Sequence, residues 1–433
     1  MTESDKAPEA VPAAAEPILS IEQQLLEAAA AGDLDEVTRL VSLEADVDYQ
    51  DEGGVSPLMK AAEGGHTAVL AALLQAGAPW NAQDASGYCA GEYAMGSGQQ
   101  EAVDLLLDFA VQAELVLGAL HRRMQVGSPS SSAAANSDYL SQKLVYRGEQ
   151  LLDADGEAVM MGWERPLMLR HAELICPNAR NKHEAAEAAA EEATVAQART
   201  EAASQAAEAA QAVAAMAVTE AAKAEAGPSS QAAAAAAAGG KRRKGGHVVN
   251  VGFGLGIVDT AIQSHRPDRH TIIEAHPDVL EHMARTGWAD KPNVRILRGR
   301  WQDVLPELLA EAPYDGIFFD TYGEYYEEMR EFHMHLPRLL ARDGVYSFFN
   351  GLASDNIFFH MVYCRLISLE LAAKGLQTEY MPMAVSELGD EVWQGVRNKY
   401  WQFETYFLPE VRHEAPLESV AEEGEEGEGD GEA

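Results

Sequence analysis

The sequence predicts two architectures in one chain: an all-α array of short helical repeats, followed by an α/β domain on a doubly wound sheet of seven strands. Three observations carry this. Gly32, Gly65 and Gly98 stand 33 residues apart. The same step relates Ala28, Ala61 and Ala94, then Val37, Leu70 and Val103, then Leu40, Leu73 and Leu106. From His247 onward, apolar strands alternate with amphipathic helices, which is the signature of a doubly wound sheet.

Residues 1–17 are Ala, Pro and Glu without periodicity and are expected to be disordered, because such a stretch buries too little apolar surface to offset its ordering entropy. The repeats cover 18–118. A period of 33 is that of ankyrin repeats. The middle copy, SPLMKAAEGGHTAVLAALLQAGAPWNAQD, places SPLMKAA where the ankyrin consensus has TPLHxAA. It predicts a helix over Pro57–Glu63, a turn at Gly64 and Gly65, and a second helix from about Ala68 to Ala76 ended by Gly77. The flanking copies are degenerate, as capping repeats are, and a generic array of helical hairpins is the weaker alternative. An ankyrin stack is a scaffold, so the pattern does not reveal its partner.

Residues 119–137 form a linker, Ser/Ala/Gly-rich from Met124. Residues 138–182 are read as the N-terminal part of the second domain, and 183–246 as an Ala/Glu-rich low-complexity insertion that favours helix but has no large apolar stripe. Its KRRK run, Lys241–Lys244, is read as a solubilising loop in preference to a nuclear signal. The core, 247–415, supplies strands in HVVNVGFG, RHTIIEAH, VRILRGRW, DGIFFDTY and VYSFFN, a long helix from about Asp355 to Lys374, and two late strands, TEYMPMAV and KYWQFETYFLP, placed as an antiparallel edge. Seven strands with that ending fit the methyltransferase variant of the Rossmann-like fold better than a six-stranded dehydrogenase. The tail, 416–433, is a block of like charge and is expected to be disordered.

Composition narrows the partners. Asp and Glu total 69 against 32 Lys and Arg, a net charge of -37 over 433 residues, so direct nucleic-acid binding is not expected. Cys89, Cys176 and Cys364 form no CxxC pair, which argues against a disulfide scaffold and a zinc site, and no metal is expected. No segment approaches the roughly 18 apolar residues of a membrane span. With neither a secretory nor a transit signature at the N-terminus, the expected location is cytoplasm and/or nucleus.

The ligand class is read from the loop after the first core strand. Gly252, Phe253, Gly254, Leu255, Gly256 and Ile257 spell GxGxG, not the GxGxxG of a dinucleotide fold. A pyrophosphate wants a third glycine one residue later, whereas the methionine part of S-adenosylmethionine needs only close backbone approach. Alone, the loop is also compatible with a plain strand-to-helix turn. Its neighbours add weight. Glu274 ends the second strand, 18 residues after Gly256, where a carboxylate accepts from both ribose hydroxyls. Trp301 and Gln302 follow the third strand, where an aromatic and an amide flank an adenine, and Asp320 ends the fourth at the ligand-binding edge.

VVNVGFGLGIVDT, TIIEAHPDVLEHM, GRWQDVLP, DGIFFDTYGEYYEEM and the upstream VMMGWERPLM closely resemble the guanidino-methylating group that contains guanidinoacetate N-methyltransferase and arginine N-methyltransferase 2; the ankyrin repeats point to the second. The resemblance implies a class I methyltransferase that uses S-adenosylmethionine to methylate the internal (δ) guanidino nitrogen of arginine in a protein substrate, which the repeats would recruit. It implies cofactor contacts from Tyr139, Met168, Gly252 through Ile257, Glu274, Ala275, His276, Trp301, Gln302 and Asp320. Glu164 matches the carboxylate that holds the guanidino group in the small-molecule relative. Asn250 stands where many methyltransferases carry an acid, and the 183–246 insertion must leave the domain without disturbing the site.

The chemistry agrees. A guanidinium has a pKa of about 12.5 or more and no free lone pair, so it must be held, localised and relieved of a proton. Glu164 and Asp320 can fork onto its nitrogens and accept that proton; a structural salt bridge and a strand-end cap are the bland alternative. Glu324, Glu327 and Glu328 are read as a solvated helix face, Cys176 and Cys364 as packing, and His276 as a positional contact. Phe349, Asn350, Tyr400, Trp401 and Tyr406 either border the substrate entrance or belong to the core. Two rival functions stay open: a small-molecule guanidino methyltransferase, and an ankyrin adaptor whose methyltransferase domain is inactive.

Overall fold

The computed structural model describes residues 19–125, 139–179, 245–322, 326–385 and 388–414. The expectations for 1–17, for most of the linker and insertion, for the KRRK run, for Glu324 and for the acidic tail lie outside the described residues. The chain divides into two compact units, 1–129 with 352–369, and 130–351 with 370–433.

In the first unit, helices α1 (Ile21–Ala31), α2 (Leu34–Ser42), α3 (Pro57–Glu63), α4 (Thr67–Gln75), α5 (Ala90–Gly96) and α6 (Gln100–Gln125) pair off in sequence order. The period seen in the sequence is a period of structure. Gly32, Gly65 and Gly98 take φ of 72°, 69° and 69°, the left-handed conformation that reverses the chain after the first helix of each pair. After each glycine the next N–H, of Asp33, His66 or Gln99, donates to the carbonyl of Ala28, Ala61 or Ala94 at 3.0, 2.9 and 2.9 Å. All three of those alanines are buried, as are Val37, Leu70 and Val103 and then Leu40, Leu73 and Leu106. α6 runs on to Gln125, past the boundary expected at 118, because neither a proline nor a turn sequence interrupts it before Gly127.

This unit also takes in 352–369, which the sequence reading places in the 247–415 core. Particular side chains explain the grouping. The ring of Phe358 lies where a side chain at Gly91 would stand, so only glycine admits it. Trp80 and Phe359 meet edge-on with centroids 5.5 Å apart, and Asn356 Nδ2 donates to Glu92 Oε2 at 2.6 Å.

The second unit opens with a small antiparallel sheet, β1 (Val145–Arg147), β2 (Gln150–Leu152) and β3 (Ala158–Met161), and then a single 3₁₀ turn, Gly162–Glu164, leading into α7 (Arg165–Ile175). The main sheet has the order β6-β5-β4-β7-β8-β10-β9, where β4 is His247–Val251, β5 Arg269–Glu274, β6 Val294–Arg298, β7 Tyr314–Phe319, β8 Leu340–Phe348, β9 Leu376–Ala384 and β10 Thr405–His413. The first five are mutually parallel, and β10 runs antiparallel to both β8 and β9. This is the seven-stranded Rossmann-like sheet with an antiparallel edge that the sequence predicts. β4 is buried at every position, as a central parallel strand flanked by helices must be. Strand order reverses beside β4, so the crevice for a ligand opens at the carboxyl ends of β4, β5 and β7.

One strand begins later than expected. β10 starts at Thr405, and 399–404 lie outside the ladder. Tyr400 and Trp401 are drawn instead into an aromatic cluster with Trp163, at centroid distances of 5.8 and 6.1 Å.

Candidate active site

The glycine loop follows β4 and leads into α8 (Ile257–Ser264). Gly252 (φ 96°), Gly254 (φ 56°) and Gly256 (φ 70°) are all left-handed. A Cβ on Gly252 would overlap the carbonyl of Asp320, so this glycine lets the ends of β4 and β7 meet. Glu274, at the end of β5, secures the loop: Oε2 accepts from Phe253 N at 2.9 Å and Oε1 from His276 N at 2.7 Å. Burial raises the pKa of its carboxyl, and these backbone donors oppose the rise.

A buried polar network underlies the loop. Asn250 Nδ2 donates to Gly252 O at 2.7 Å and to Asp259 Oδ2 at 2.9 Å, and His270 Nε2 lies 3.1 Å from Asp259 Oδ1. Gln263 Nε2 lies 2.9 Å from His270 Nδ1, which makes Nδ1 the acceptor and puts the ring N–H on Nε2, the nitrogen near Asp259. Asn250, Asp259 and His270 are all fully buried. The acid absent at position 250 is thus supplied from α8, nine residues on. The signal for it was an Asp among the apolar residues of IVDTAIQS.

The cleft above the loop encloses ≈ 660 Å³, open solvent at its mouth included. Of the predicted cofactor residues, Tyr139, Gly252, Gly254, Glu274, Ala275, Trp301 and Asp320 line it. Phe253, Leu255, Gly256 and Ile257 complete the loop without lining the cleft. Met168 is fully buried on α7, within the hydrophobic core. His276 stands behind the wall: its Nδ1 accepts from Asp278 N at 3.1 Å, capping α9 (Pro277–Arg285), and its Nε2 meets Tyr139 O at 3.2 Å. Gln302 is not a lining residue, but its Oε1 is buried without a hydrogen-bond partner.

Sequence reasoning missed Met160 and Tyr322, which also line the cleft, and Tyr146, which holds the glycine loop. Met160 packs against Gly254, and its sulfur accepts from Leu255 N at 3.2 Å. Tyr146 Oη donates to Gly254 O at 3.2 Å. Tyr322 packs at a tilt against Tyr139, centroids 4.8 Å apart, and its hydroxyl donates to Asp153 Oδ2 at 3.2 Å. Nothing periodic marks these residues, which meet only through the small sheet.

The donor set fits a sulfonium nucleoside better than a pyrophosphate. The cleft offers backbone, aromatic rings and carboxylates, and the guanidinium of its Arg300 is engaged by Asp303 at 3.1 Å. Gly252 and Gly254 of the glycine loop share this cleft with Glu274, Trp301 and Tyr139.

Of the two carboxylates singled out from sequence, Asp320 lines this cleft, and its charge acts on the other, Glu164. Glu164, at the end of the 3₁₀ turn, is 3% exposed. Its Oε1 accepts from Met161 N at 2.9 Å and, in a short bond, from Tyr400 Oη. Burial, aided by the charge of Asp320, pushes the Glu164 carboxyl up to about 8, against the pull of those two donors. Asp320 follows β7; its Oδ2 is buried without a partner, and burial together with the charge of Asp259 pushes it up to about 7. Two buried acids, one raised by the charge of the other and one with a bare buried oxygen, are chemically able to accept a cation that donates hydrogen bonds.

The remaining candidates separate cleanly. Tyr406 and Trp401 are buried core residues, and Tyr406 Oη accepts from Asn350 N at 2.9 Å. Glu328 is 7% exposed, so it is not part of a solvated face; α10 (Tyr326–His333) turns it inward beside Met329 and Phe332. Cys176 is buried in the core.

Comparison with known proteins places both halves of the chain. A family profile described as guanidinoacetate N-methyltransferase matches residues 188–369, and one described as ankyrin repeats (3 copies) matches 25–115. The protein arginine N-methyltransferase 2 of Yarrowia lipolytica is 35% identical over 284 residues, 64% of this chain and 47% of that protein, so the chain spans about half the length of that relative. The protein of the same name from Aspergillus oryzae is 29% identical over 401 residues, 83% of this chain and 81% of the other. That from Cryptococcus neoformans var. neoformans is 32% identical over 416 residues, 90% of this chain and 95% of the other. With both halves matched along nearly the full length of that relative, the chain belongs to the protein arginine N-methyltransferase 2 family of S-adenosylmethionine-dependent methyltransferases.

Proposed function

We propose that this chain methylates arginine in a protein substrate, at the internal δ nitrogen of the guanidino group, in the cytoplasm or nucleus. The observation that carries the reading is the pair Glu164 and Asp320: two buried acids at the cleft with carboxyls near neutrality, one with an unpartnered oxygen. A guanidinium entering between them would meet acceptors on both sides, and its positive charge would ionise both acids.

When bound, S-adenosylmethionine would supply an electrophilic methyl group, whose bond to sulfur breaks as S-adenosylhomocysteine leaves. The protein's part is to present a nucleophile to it in line. Glu164 Oε1 is already committed to Met161 and Tyr400, which leaves Oε2 for the substrate N–H groups. Bound to the far N–H groups, Glu164 Oε2 draws the guanidinium charge toward them, while Asp320 Oδ2 accepts the N–H of the nitrogen facing the methyl group and frees its lone pair. As the new N–C bond forms, Asp320 Oδ2 takes the proton that this nitrogen sheds. The δ assignment rests on the resemblance of the WERPLM and DGIFFDTYGEYYEEM segments, and the protein substrate on the relatives' names and on the ankyrin repeats.

The test is radiolabelled methyl transfer into a cell extract depleted of small molecules, followed by acid hydrolysis and chromatography of the labelled amino acid. Label in δ-N-methylarginine from a protein band is the expected result. Label in ω-methylarginine would overturn the nitrogen assignment, and label accepted only by free guanidino metabolites would establish the small-molecule rival.

A further inference from the structure

Tyr400 occupies a position that the reaction so far does not use. It lies outside β10, with its ring held 5.8 Å from Trp163 and edge-on to Trp393 at 5.2 Å. Its hydroxyl donates to Glu164 Oε1, 236 residues away in sequence, and the same oxygen takes the Met161 N–H. Two donors on one oxygen, one of them on a clamped ring, fix the plane of the carboxylate. Without the phenol, the Met161 N–H alone would hold Oε1, and the carboxylate could swing about it.

We infer that Tyr400 is a positioning residue for methyl transfer: it locks Glu164 so that Oε2, and not Oε1, faces the guanidino group, and the loop between β9 and β10 exists in part to bring it there. This rests on the proposed reaction at Glu164. The phenol is buried, and burial with the charge of Glu164 holds its own proton firmly, so it serves as a fixed donor and takes no part in proton transfer. Tyr400 is not a lining residue of the cofactor cleft, so its effect should appear on the substrate side alone.

The test uses the full chain, with Tyr400→Phe, Glu164→Gln and the double variant. Tyr400→Phe keeps the packed ring and removes only the hydroxyl. It should leave S-adenosylmethionine affinity unchanged and lower kcat/KM for an arginine peptide by about 10- to 100-fold, the worth of a hydrogen bond to a charged group. In the double-mutant cycle, Tyr400→Phe should cost nothing further once Glu164 is Gln. Independently of turnover, the infrared band of the protonated Glu164 carboxyl, identified by its loss in Glu164→Gln, should titrate at higher pH in Tyr400→Phe, because the carboxylate has lost a donor. Additive losses in the cycle, or an unmoved infrared midpoint, would overturn the inference. A wild-type protein that methylates no arginine peptide would sink the proposed function, while the infrared midpoint would still decide whether Tyr400 controls Glu164.

Discussion

Gly98 in the repeats and Gly252 in the catalytic unit both hold a left-handed backbone, at φ 69° and 96°, yet they answer to different constraints. A Cβ on Gly98 would meet nothing within 4 Å, so its role is local: it turns the chain between two helices, as Gly32 and Gly65 do. A Cβ on Gly252 would strike the carbonyl of Asp320, so this glycine serves an approach between strands 68 residues apart in sequence. The repeats are built by repeating a local rule, and the site by meetings that no local rule dictates.

The comparison can be broken first at the site. Replacing Asp320 by Asn keeps the shape and removes the charge, and should lower methyl transfer by about 10²- to 10⁴-fold with the melting temperature maintained or raised. Equal activity in a single-turnover assay would show that the bare Oδ2 is not used. Next comes Gly252→Ala, which adds steric overlap to left-handed strain and should cost roughly 2–5 kcal/mol by chemical denaturation, with loss of S-adenosylmethionine binding in calorimetry. Gly98→Ala pays strain alone and should cost about 1–2 kcal/mol, leaving cofactor affinity unchanged. If the two glycine variants cost the same, the contrast between local and long-range constraint fails.

A subtler effect concerns pH and stability. The folded pKa of Glu164, about 8, lies above its ordinary 4.5, and that of Asp320, about 7, above 3.8. In each case the fold disfavours the ionised form. The stability tied to these groups is therefore complete below pH about 4 and is lost as pH rises through 7 to 8. Glu164→Gln, which cannot ionise, should be more stable than wild type by a margin that grows from about pH 4.5 to about pH 8 and then levels off. Parallel melting curves across that range would refute the assigned shift.

Much of this was legible in the sequence, for identifiable reasons. The repeats announced themselves because one structural rule was written three times, and the parallel strands because burial on both faces leaves continuous apolar runs. Asp320 was legible from its place at the end of the fourth strand, and Glu164 through resemblance to a guanidino-methylating group. What the sequence could not show was which distant partners complete each group. The Tyr400 hydroxyl on Glu164, Met160 against Gly254, and the Asn250–Asp259–His270 network join segments whose spacing carries no period. Tyr400 was even read as strand, because its neighbours Trp401 and Phe403 favour one and only tertiary packing pulls them out of the ladder. The grouping of 352–369 with the repeats was hidden for the same reason: it depends on Gly91 being small where Phe358 is large.

The central claim is that two protonatable acids form the receptor for a guanidinium. It is tested most directly by calorimetric titration of an arginine peptide into the protein saturated with S-adenosylhomocysteine, repeated at pH 7 in buffers of different ionisation enthalpy. With acids near 8 and 7 driven to ionise by the incoming cation, the account predicts release of about one proton per peptide bound, and affinity that rises with pH from 6 to 8. Binding with no proton released and no dependence on pH would mean that both acids are already charged, or that the guanidinium binds elsewhere, and would contradict it.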